Sequence, residues 1–376
     1  MRSSVLAVAA LALPALLAGC TSKGGASSSD DISVTASDSA CEVGRDSATT
    51  GPATFAITNN GTKVTEFYVY GAGDRVVGEV ENIGPGLTRQ LIVSLPDPGT
   101  YQTACKPGMV GAGIRHDFTV TGQAHNTGED AKLAEAAAGY KRYLTAQVAA
   151  LKDTTASFVA AIKSGDVEQA KKQYPVTRTY YERIEPVAES FPDDLDPRLD
   201  LREADLADGQ KWTGFHRLEK DLWAQGLRPD TGQIADQLST DVAELADGID
   251  SADFSVDPIH VASGAQTLLD EIARTKITGE EDTFSHTDLW DFQANIDGSQ
   301  AAIASVRPIL DERNPQLGKQ IDQRFADLDT ELAGYRRGDG HVGYDTVTQD
   351  QRAAFARRID ALSAVVSQVQ GVVAGS

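Results

Sequence analysis

The chain has 376 residues, of which 41% are hydrophobic and 24% are charged. This length favours two domains, and the composition is that of a globular protein. The 34 basic and 55 acidic residues give a net charge of -21, which repels nucleic acid and anionic lipid headgroups and attracts cations. The charge therefore argues against a nucleic-acid partner.

The first twenty residues have the features of an export signal. Arg2 precedes an apolar run over residues 5–17, and Leu17-Ala18-Gly19-Cys20 ends it with small residues and a cysteine. This pattern predicts a signal peptide over residues 1–20. The last four residues resemble the bacterial lipobox, which implies that Cys20 is lipidated. The protein is then expected to be extracytoplasmic, either anchored by this lipid to the outer face of the cell membrane or located in the periplasm. The Ser/Gly-rich residues 21–31 predict a flexible tether.

Residues 32–122 predict a β-domain. Short runs of β-branched and aromatic residues alternate there with turn signals such as Asn59-Asn60-Gly61. About seven strands at this spacing are typical of a β-sandwich, and residues 123–130 then form a linker. The predicted strands are residues 32–35, 53–58, 66–70, 76–80, 89–94, 101–104 and 114–120.

Residues 131–376 predict an all-α domain, because Ala, Leu, Glu and Lys recur there at helical spacing, with Gly and Pro at the breaks. Pro308 lies inside one helical pattern and is expected to kink or split it. The predicted helices are residues 131–163, 166–189, 197–208, 213–225, 231–247, 257–274, 287–312, 315–336 and 348–373.

His216 and Glu219 are the leading candidates for a functional site. They lie three positions apart in a segment with helical periodicity, so both side chains share one face. An imidazole and a carboxylate on one rigid face form half of a transition-metal site. The alternative is that Glu219 merely accepts a hydrogen bond from a surface histidine.

Two stretches of the helical half carry a family resemblance. The Gly-x-His-x-x-Glu run at residues 214–219 resembles the signature of the imelysin-like family of bacterial extracytoplasmic metal-uptake proteins. Residues 271–295, with Thr275-Lys276-Ile277-Thr278-Gly279-Glu280-Glu281 and Ser285-His286-Thr287-Asp288-Leu289-Trp290, are similar to the same family. A β-domain ahead of the helices matches its two-domain form, whose N-terminal domain is cupredoxin-like.

The resemblance implies an iron-binding component of a ferrous or ferric uptake system, working with a membrane permease and a haem peroxidase. It carries His216 and Glu219 over as metal ligands, and Glu271 and Asp288 are expected to complete the site. Histidine and carboxylate ligands suit iron, zinc or manganese.

An enzyme is the competing class, because H-x-x-E is also part of the H-x-x-E-H motif of zinc peptidases. This chain has Lys220 where the second histidine of that motif falls. The substitution removes a ligand, so we expect metal binding and delivery rather than proteolysis.

Cys41 and Cys105 have two interpretations. Outside the cytoplasm, two cysteines are most simply a disulfide. The alternative is a soft or mixed copper site formed by Cys41, Glu66, Cys105 and Met109, with the protein acting as a copper-dependent redox partner that changes the valence of iron.

A blue-copper centre is disfavoured by the histidine count. Such a centre needs two histidines beside the cysteine, but His116 is the only histidine in the predicted β-domain, and His125 lies in the linker. Glu79 and Glu81 belong to an acidic strand and are expected to be solvated.

Overall fold

The structure is a computed structural model that describes residues 31–109, 111–124, 131–207 and 209–375. The predicted signal peptide with Cys20, most of the tether, and His125 in the linker lie outside these residues. The described chain forms a β-sandwich followed by a mostly helical domain, so the predicted fold class is confirmed. No helix in these ranges is long and apolar enough to cross a membrane.

The β-domain contains every predicted strand and two more. The additional strands, Cys41–Val43 and Ser47–Thr49, have three residues each, which is too short for an alternating pattern to be recognised in the sequence. The strands are β1 Ile32–Ala36, β2 Cys41–Val43, β3 Ser47–Thr49, β4 Gly51–Asn59, β5 Thr65–Tyr70, β6 Val76–Ile83, β7 Thr88–Leu95, β8 Gly99–Pro107 and β9 Ile114–Thr121.

These strands form two sheets, with the orders β2-β1-β4-β7 and β3-β9-β8-β5-β6. Alternate side chains of both sheets fill one core, in which Phe55 contacts Phe67 and Phe118. A disulfide joins Cys41 on the first sheet to Cys105 on the second, with their Cα atoms 5.5 Å apart. The disulfide therefore fastens the two sheets together inside the core.

The helical domain buries a continuous apolar core formed by one face of each long helix. A short hairpin, β10 Arg336–Arg337 and β11 Gly340–His341, lies near its C-terminal end. The helices are α1 Ala131–Ser164, α2 Val167–Glu182, α3 Glu185–Glu189, α4 Leu195–Asp200, α5 Gly214–Lys220, α6 Thr231–Asp250, α7 Pro258–Arg274, α8 Asp288–Arg313, α9 Pro315–Ala333, α10 Gln349–Val366 and α11 Val369–Ala374.

Several predicted helix bounds were wrong. The predicted helix 166–189 is interrupted at Ile184, which has a φ of -131°, and Pro186 then starts the new helix α3. The predicted helix 197–208 ends at Asp200, and α5 continues as a π-helical turn over residues 221–225. Pro308 lies inside α8 without dividing it.

The two domains contact each other along α7. This helix packs against β6 and β7, and Arg274 Nη1 donates to the carbonyl oxygen of Glu81 over 3.2 Å. Arg75 Nη2 donates to the carbonyl oxygen of Ser255 over 2.6 Å. Each domain therefore supplies one arginine that donates to a backbone carbonyl oxygen of the other domain.

Candidate metal centre

The position of α5 is set by Gly214. Its φ is 85°, and a Cβ at this position would lie 2.1 Å from the carbonyl oxygen of Leu199. Only glycine permits both this left-handed conformation and this close approach. The hydroxyl of Thr213 also donates to the carbonyl oxygen of Arg198 over 2.9 Å. These contacts hold α5 against the end of α4, which brings Asp200 next to His216.

His216 and Glu219 both point into the protein interior. The His216 side chain is 2% exposed, and its Nδ1 lies 3.4 Å from Glu219 Oε2. The alternative of a surface histidine paired with Glu219 is therefore wrong, because the pair is buried. Burial of an imidazole beside a carboxylate is the arrangement that a metal site requires.

Three further carboxylates surround the His216 ring. On the Nδ1 side, Asp282 Oδ1 lies 4.0 Å away. On the Nε2 side, Asp200 Oδ1 is 3.4 Å and Glu281 Oε1 is 3.5 Å away. Two triads, His216 with Glu219 and Asp282, and His216 with Asp200 and Glu281, each place their ligand atoms within 4.8 Å of one another. Two atoms bound to one metal at about 2.1 Å lie at most about 4.2 Å apart, so only small shifts are needed to bind a cation.

Glu219 also fixes the loop that supplies two of these carboxylates. Its Oε1 accepts hydrogen bonds from the backbone amides of Phe284, at 2.9 Å, and Ser285, at 2.7 Å. The loop over residues 279–287 is therefore docked on α5 by the same side chain that approaches His216. Within this loop, the hydroxyl of Thr287 donates to Asp282 Oδ2.

Two buried cations are built into the cluster. Arg178 on α2 is fully buried and forms ion pairs with Asp200, Glu182 and Glu281, the last at 2.8 Å. Lys276 is 1% exposed, and its Nζ lies 3.0 Å from Glu185 Oε2 and also pairs with Glu182. A buried carboxylate without such a partner would be strongly destabilising, so these cations permit the cluster to form without a metal.

Negative charge still dominates the cluster. Burial and the Arg178 charge lower the pKa of His216, but Asp200 and Glu219 outweigh them and place it well above its ordinary value. Burial raises the pKa of Asp282 to about 6. The carboxylates therefore favour the protonated form of the His216 imidazole, and a metal ion bound there would displace the ring proton. In the described part of the chain, Arg178 and Lys276 form ion pairs with six buried carboxylates, those of Glu182, Glu185, Asp200, Glu281, Asp282 and Asp291, and the buried carboxylate of Glu219 lies beside His216.

Comparison with known proteins places the chain in a family. The imelysin profile matches residues 136–369, and the cupredoxin-like domain profile matches residues 7–114. The iron uptake system component EfeO of Escherichia coli O157:H7, and those of E. coli strain K12 and Shigella flexneri, are each 40% identical over 377 aligned residues, covering 98% of this chain and 96% of theirs. The chain belongs to the EfeO family.

The imelysin family bears a peptidase designation, M75. The H-x-x-E segment of this EfeO-family protein nevertheless differs from the H-x-x-E-H motif of a zinc peptidase. Lys220 stands where the second histidine ligand is required, and its Nζ forms an ion pair with Glu203. A lysine held in this way cannot replace an imidazole ligand. The metal centre thus lacks the ligand set of an H-x-x-E-H peptidase.

The two carboxylates expected to complete the centre have different positions. Asp288 is buried beside it, where its Oδ1 accepts from the amide of Asp282 at 3.4 Å, and burial together with the Asp282 charge raises its pKa to about 8. Glu271 instead accepts from the hydroxyl of Thr275 at 3.1 Å and faces the boundary with the β-domain. Its placement in the centre is therefore corrected, because one turn of α7 directs it toward β6.

The structure does not assemble the copper site considered for the β-domain. Cys41 and Cys105 are joined in a disulfide, so neither sulfur is a thiolate, the form that binds copper. Met109 is exposed, and Glu66 is buried with its Oε2 accepting from the hydroxyl of Tyr68 at 3.2 Å. The expectation that Glu79 is solvated was wrong, since it is 6% exposed.

Sequence reasoning missed Asp200, Glu281, Asp282 and the two buried cations. Glu281 and Asp282 lie within the stretch that carries the family resemblance, and that was the signal available for them. Asp200 had none, because its approach to His216 depends on the packing of α4 against Gly214.

Proposed function

We propose that this protein is the extracytoplasmic iron-binding component of a bacterial iron uptake system, which captures iron and passes it to a membrane permease. The observation that supports this most directly is the convergence of Glu219, Asp282, Asp200 and Glu281 on a single buried imidazole, that of His216. The EfeO relatives are named as iron uptake components, which agrees with iron as cargo.

We assign the iron position to the Nδ1 side of His216, with Glu219 Oε2 and Asp282 Oδ1 as the other ligands. Arg178 compensates the Nε2 side more closely, since its Nη2 lies 2.8 Å from Glu281 Oε1 and 3.4 Å from Asp200 Oδ2, whereas its Nε lies 3.7 Å from Asp282 Oδ1 on the Nδ1 side. Metal-bound histidines usually donate the second ring N–H to a carboxylate. Asp200 Oδ1 is the carboxylate oxygen closest to Nε2, at 3.4 Å, although Nε2 has no hydrogen-bond partner among the described residues.

The test removes two ligands while keeping the fold. The variant His216→Ala with Glu219→Gln retains an oxygen at position 219 that can still accept from the amides of Phe284 and Ser285. We expect it to lose high-affinity iron binding in anaerobic calorimetric titration with Fe²⁺ and to retain its helical circular dichroism.

The matched control is His341→Ala with Glu135→Gln, which alters a half-buried histidine on the hairpin and an exposed acid on α1. It should bind iron as the unmodified protein does. Unchanged titration of the ligand variant would overturn the proposed function.

A further inference from the structure

A cavity of about 360 Å³ lies between the domains, with β6 and β7 on one side and α7 on the other. Glu79 and Glu81 of β6 and Glu271 of α7 line it, together with Gln266. These residues present oxygen atoms from both domains to a single cleft that is partly open to solvent. None of them belongs to the metal centre around His216.

Two buried oxygens at this cavity are unsatisfied. Glu79 is 6% exposed, and its Oε2 has no hydrogen-bond partner among the described residues. Gln266 Oε1 is likewise buried and receives no hydrogen bond from the residues that the structure describes. An orphaned buried oxygen is costly, and two of them facing one cavity indicate that a positively polarised ligand belongs there.

Glu189 of α3 has a third unsatisfied oxygen, although this residue does not line the cavity itself. Its carboxyl group approaches that of Glu79 from the helical domain, and its Oε2 is also buried with no partner in the described ranges. Two carboxylates held side by side must share either a proton or a cation.

The nearby charges leave this group acidic. The hydroxyl of Tyr68 bridges Glu66 Oε2 and Glu81 Oε1, at 3.2 and 3.3 Å, and the Lys106 ammonium lies over the Tyr68 ring. Arg274 is paired with Asp270 at 2.7 Å. Asp196, in the adjoining helical segment, adds another negative charge that acts on both Glu79 and Glu81. Arg89 and Arg274 also line the cavity, so among the described residues three cations, these two and Lys106, lie near the carboxylates of Glu66, Glu79, Glu81, Glu189, Glu271 and Asp196, which outnumber them.

The raised pKa values of these carboxyl groups also indicate that positive charge is lacking between the domains. Burial, followed by the charge of Glu66, raises the pKa of Glu79 to about 8. Burial also raises the pKa of Glu81 and Glu189 well above the ordinary range, with neighbouring carboxylates adding to the effect. Without a bound cation, protons must therefore supply the missing positive charge.

We propose that the carboxylates of Glu79 and Glu189 bind a hard di- or trivalent metal ion between the domains, with Glu81 and Glu271 reaching the ion through water molecules. Oxygen-only ligands select such cations, and the cavity has room for retained water molecules. A cation here neutralises repulsion across the boundary and holds the β-domain to α7. This site does not depend on the proposed role of His216.

Terbium luminescence tests the site, because Tb³⁺ is a hard cation that binds carboxylates and is excited through a nearby tyrosine. The Tyr68 hydroxyl contacts Glu81 of the proposed site and the neighbouring Glu66, so Tyr68 is the expected sensitiser. The titration uses the whole chain with His216→Ala and Glu219→Gln as background, so that the metal centre does not contribute to the signal.

In this background, Glu79→Gln with Glu189→Gln should abolish saturable emission, and Tyr68→Phe should lower emission while leaving Tb³⁺ binding measured by equilibrium dialysis intact. The matched control, Glu42→Gln with Glu135→Gln, changes one exposed acid in each domain and should leave both signals unchanged. Emission equal in the Glu79/Glu189 variant and the control, or no saturable emission in the background itself, would overturn the proposal and assign a shared proton to the pair.

Anaerobic dialysis against Fe²⁺ separates this proposal from the proposed function. The variant His216→Ala with Glu219→Gln should lose only the equivalent bound at the metal centre. Glu79→Gln with Glu189→Gln should lose only the other equivalent. Retention of both equivalents by the Glu79/Glu189 variant contradicts the second site without affecting the first.

Discussion

The two acidic regions of this protein differ in how their negative charge is balanced. Around His216, Arg178 and Lys276 are fully buried and pair with the carboxylates directly. Between the domains, the oxygens of Glu79 and Glu189 have no such partner among the described residues. The first region can thus keep its shape without a metal. In the second region, a proton or a cation is needed to offset the repulsion between the two carboxylates.

Removal of Arg178 should have the largest effect. Arg178→Met would leave the buried carboxylates of Asp200, Glu182 and Glu281 without their shared cation, at a cost of about 3–5 kcal/mol. Urea denaturation at neutral pH measures the loss. Arg307→Met is the control, since its ion pairs with Asp311 and Asp322 are partly exposed and are each worth about 1 kcal/mol or less. Equal losses in both variants would contradict a special role for the buried cation.

Loss of the disulfide should weaken only the β-domain side of the contrast. Cys41→Ser with Cys105→Ser opens a connection between residues 64 apart, which costs about 2–4 kcal/mol of β-domain stability. Cys105 on β8 pairs with Phe67 on β5, and Phe67 is flanked by Glu66 and Tyr68. Loss of the disulfide should therefore loosen the strand that carries Glu66 and Tyr68 at the domain boundary. Thermal unfolding should show the β-domain melting earlier. If the same variant also bound Fe²⁺ more weakly at His216, the two regions would not be independent.

Asp200 and Asp282 should differ as positioning residue and ligand. Asp200→Asn removes the negative charge that lies 3.4 Å from the Nε2 atom of His216 and should weaken Fe²⁺ binding by about 10–100-fold. Asp282→Asn removes a ligand on the Nδ1 side and should weaken it further. Calorimetric titration of both variants gives the order. The reverse order would place iron on the Nε2 side, between Asp200 and Glu281.

The smallest effect concerns pH. Burial raises the pKa of Glu79 and of Asp288 to about 8, and the pKa of His216 lies well above its ordinary value because Asp200 and Glu219 outweigh burial and Arg178. Unfolded carboxyl groups titrate near 4 and histidine near 6.5. The metal-free native state therefore holds more protons than the unfolded state between these values, and its free energy of unfolding falls as pH rises.

We expect this free energy to decrease by about 1 kcal/mol or more between pH 5.5 and pH 8, measured by urea denaturation with a chelator present. Glu79→Gln should reduce the dependence, because it removes one of the groups that take up protons. Glu281 has a lowered pKa, because Lys276 and His216 outweigh burial. Its contribution to the pH dependence of stability therefore lies below pH 5.5. Stability that rises toward pH 8 would show that the raised values are wrong.

The fold and half of the metal centre could be predicted from local sequence. Alternating strands and periodic helices recur within a few residues, and His216 and Glu219 share a face through their three-residue spacing alone. Asp200 and Asp282 reach the same point only through tertiary packing. Glu271 was placed wrongly because helical periodicity indicates which residues lie near a core margin and does not identify the domain on the other side.

Glu219 shares its two oxygens between the His216 ring and two amides of the 279–287 loop, 65 and 66 residues further along the chain. While the polypeptide is unfolded, His216 and Glu219 lie far along the chain from Asp282, and no short segment contains all three residues. The proposed iron site therefore forms only when the helical domain has folded. Iron binding at this site, as proposed, would report on the folding of that domain.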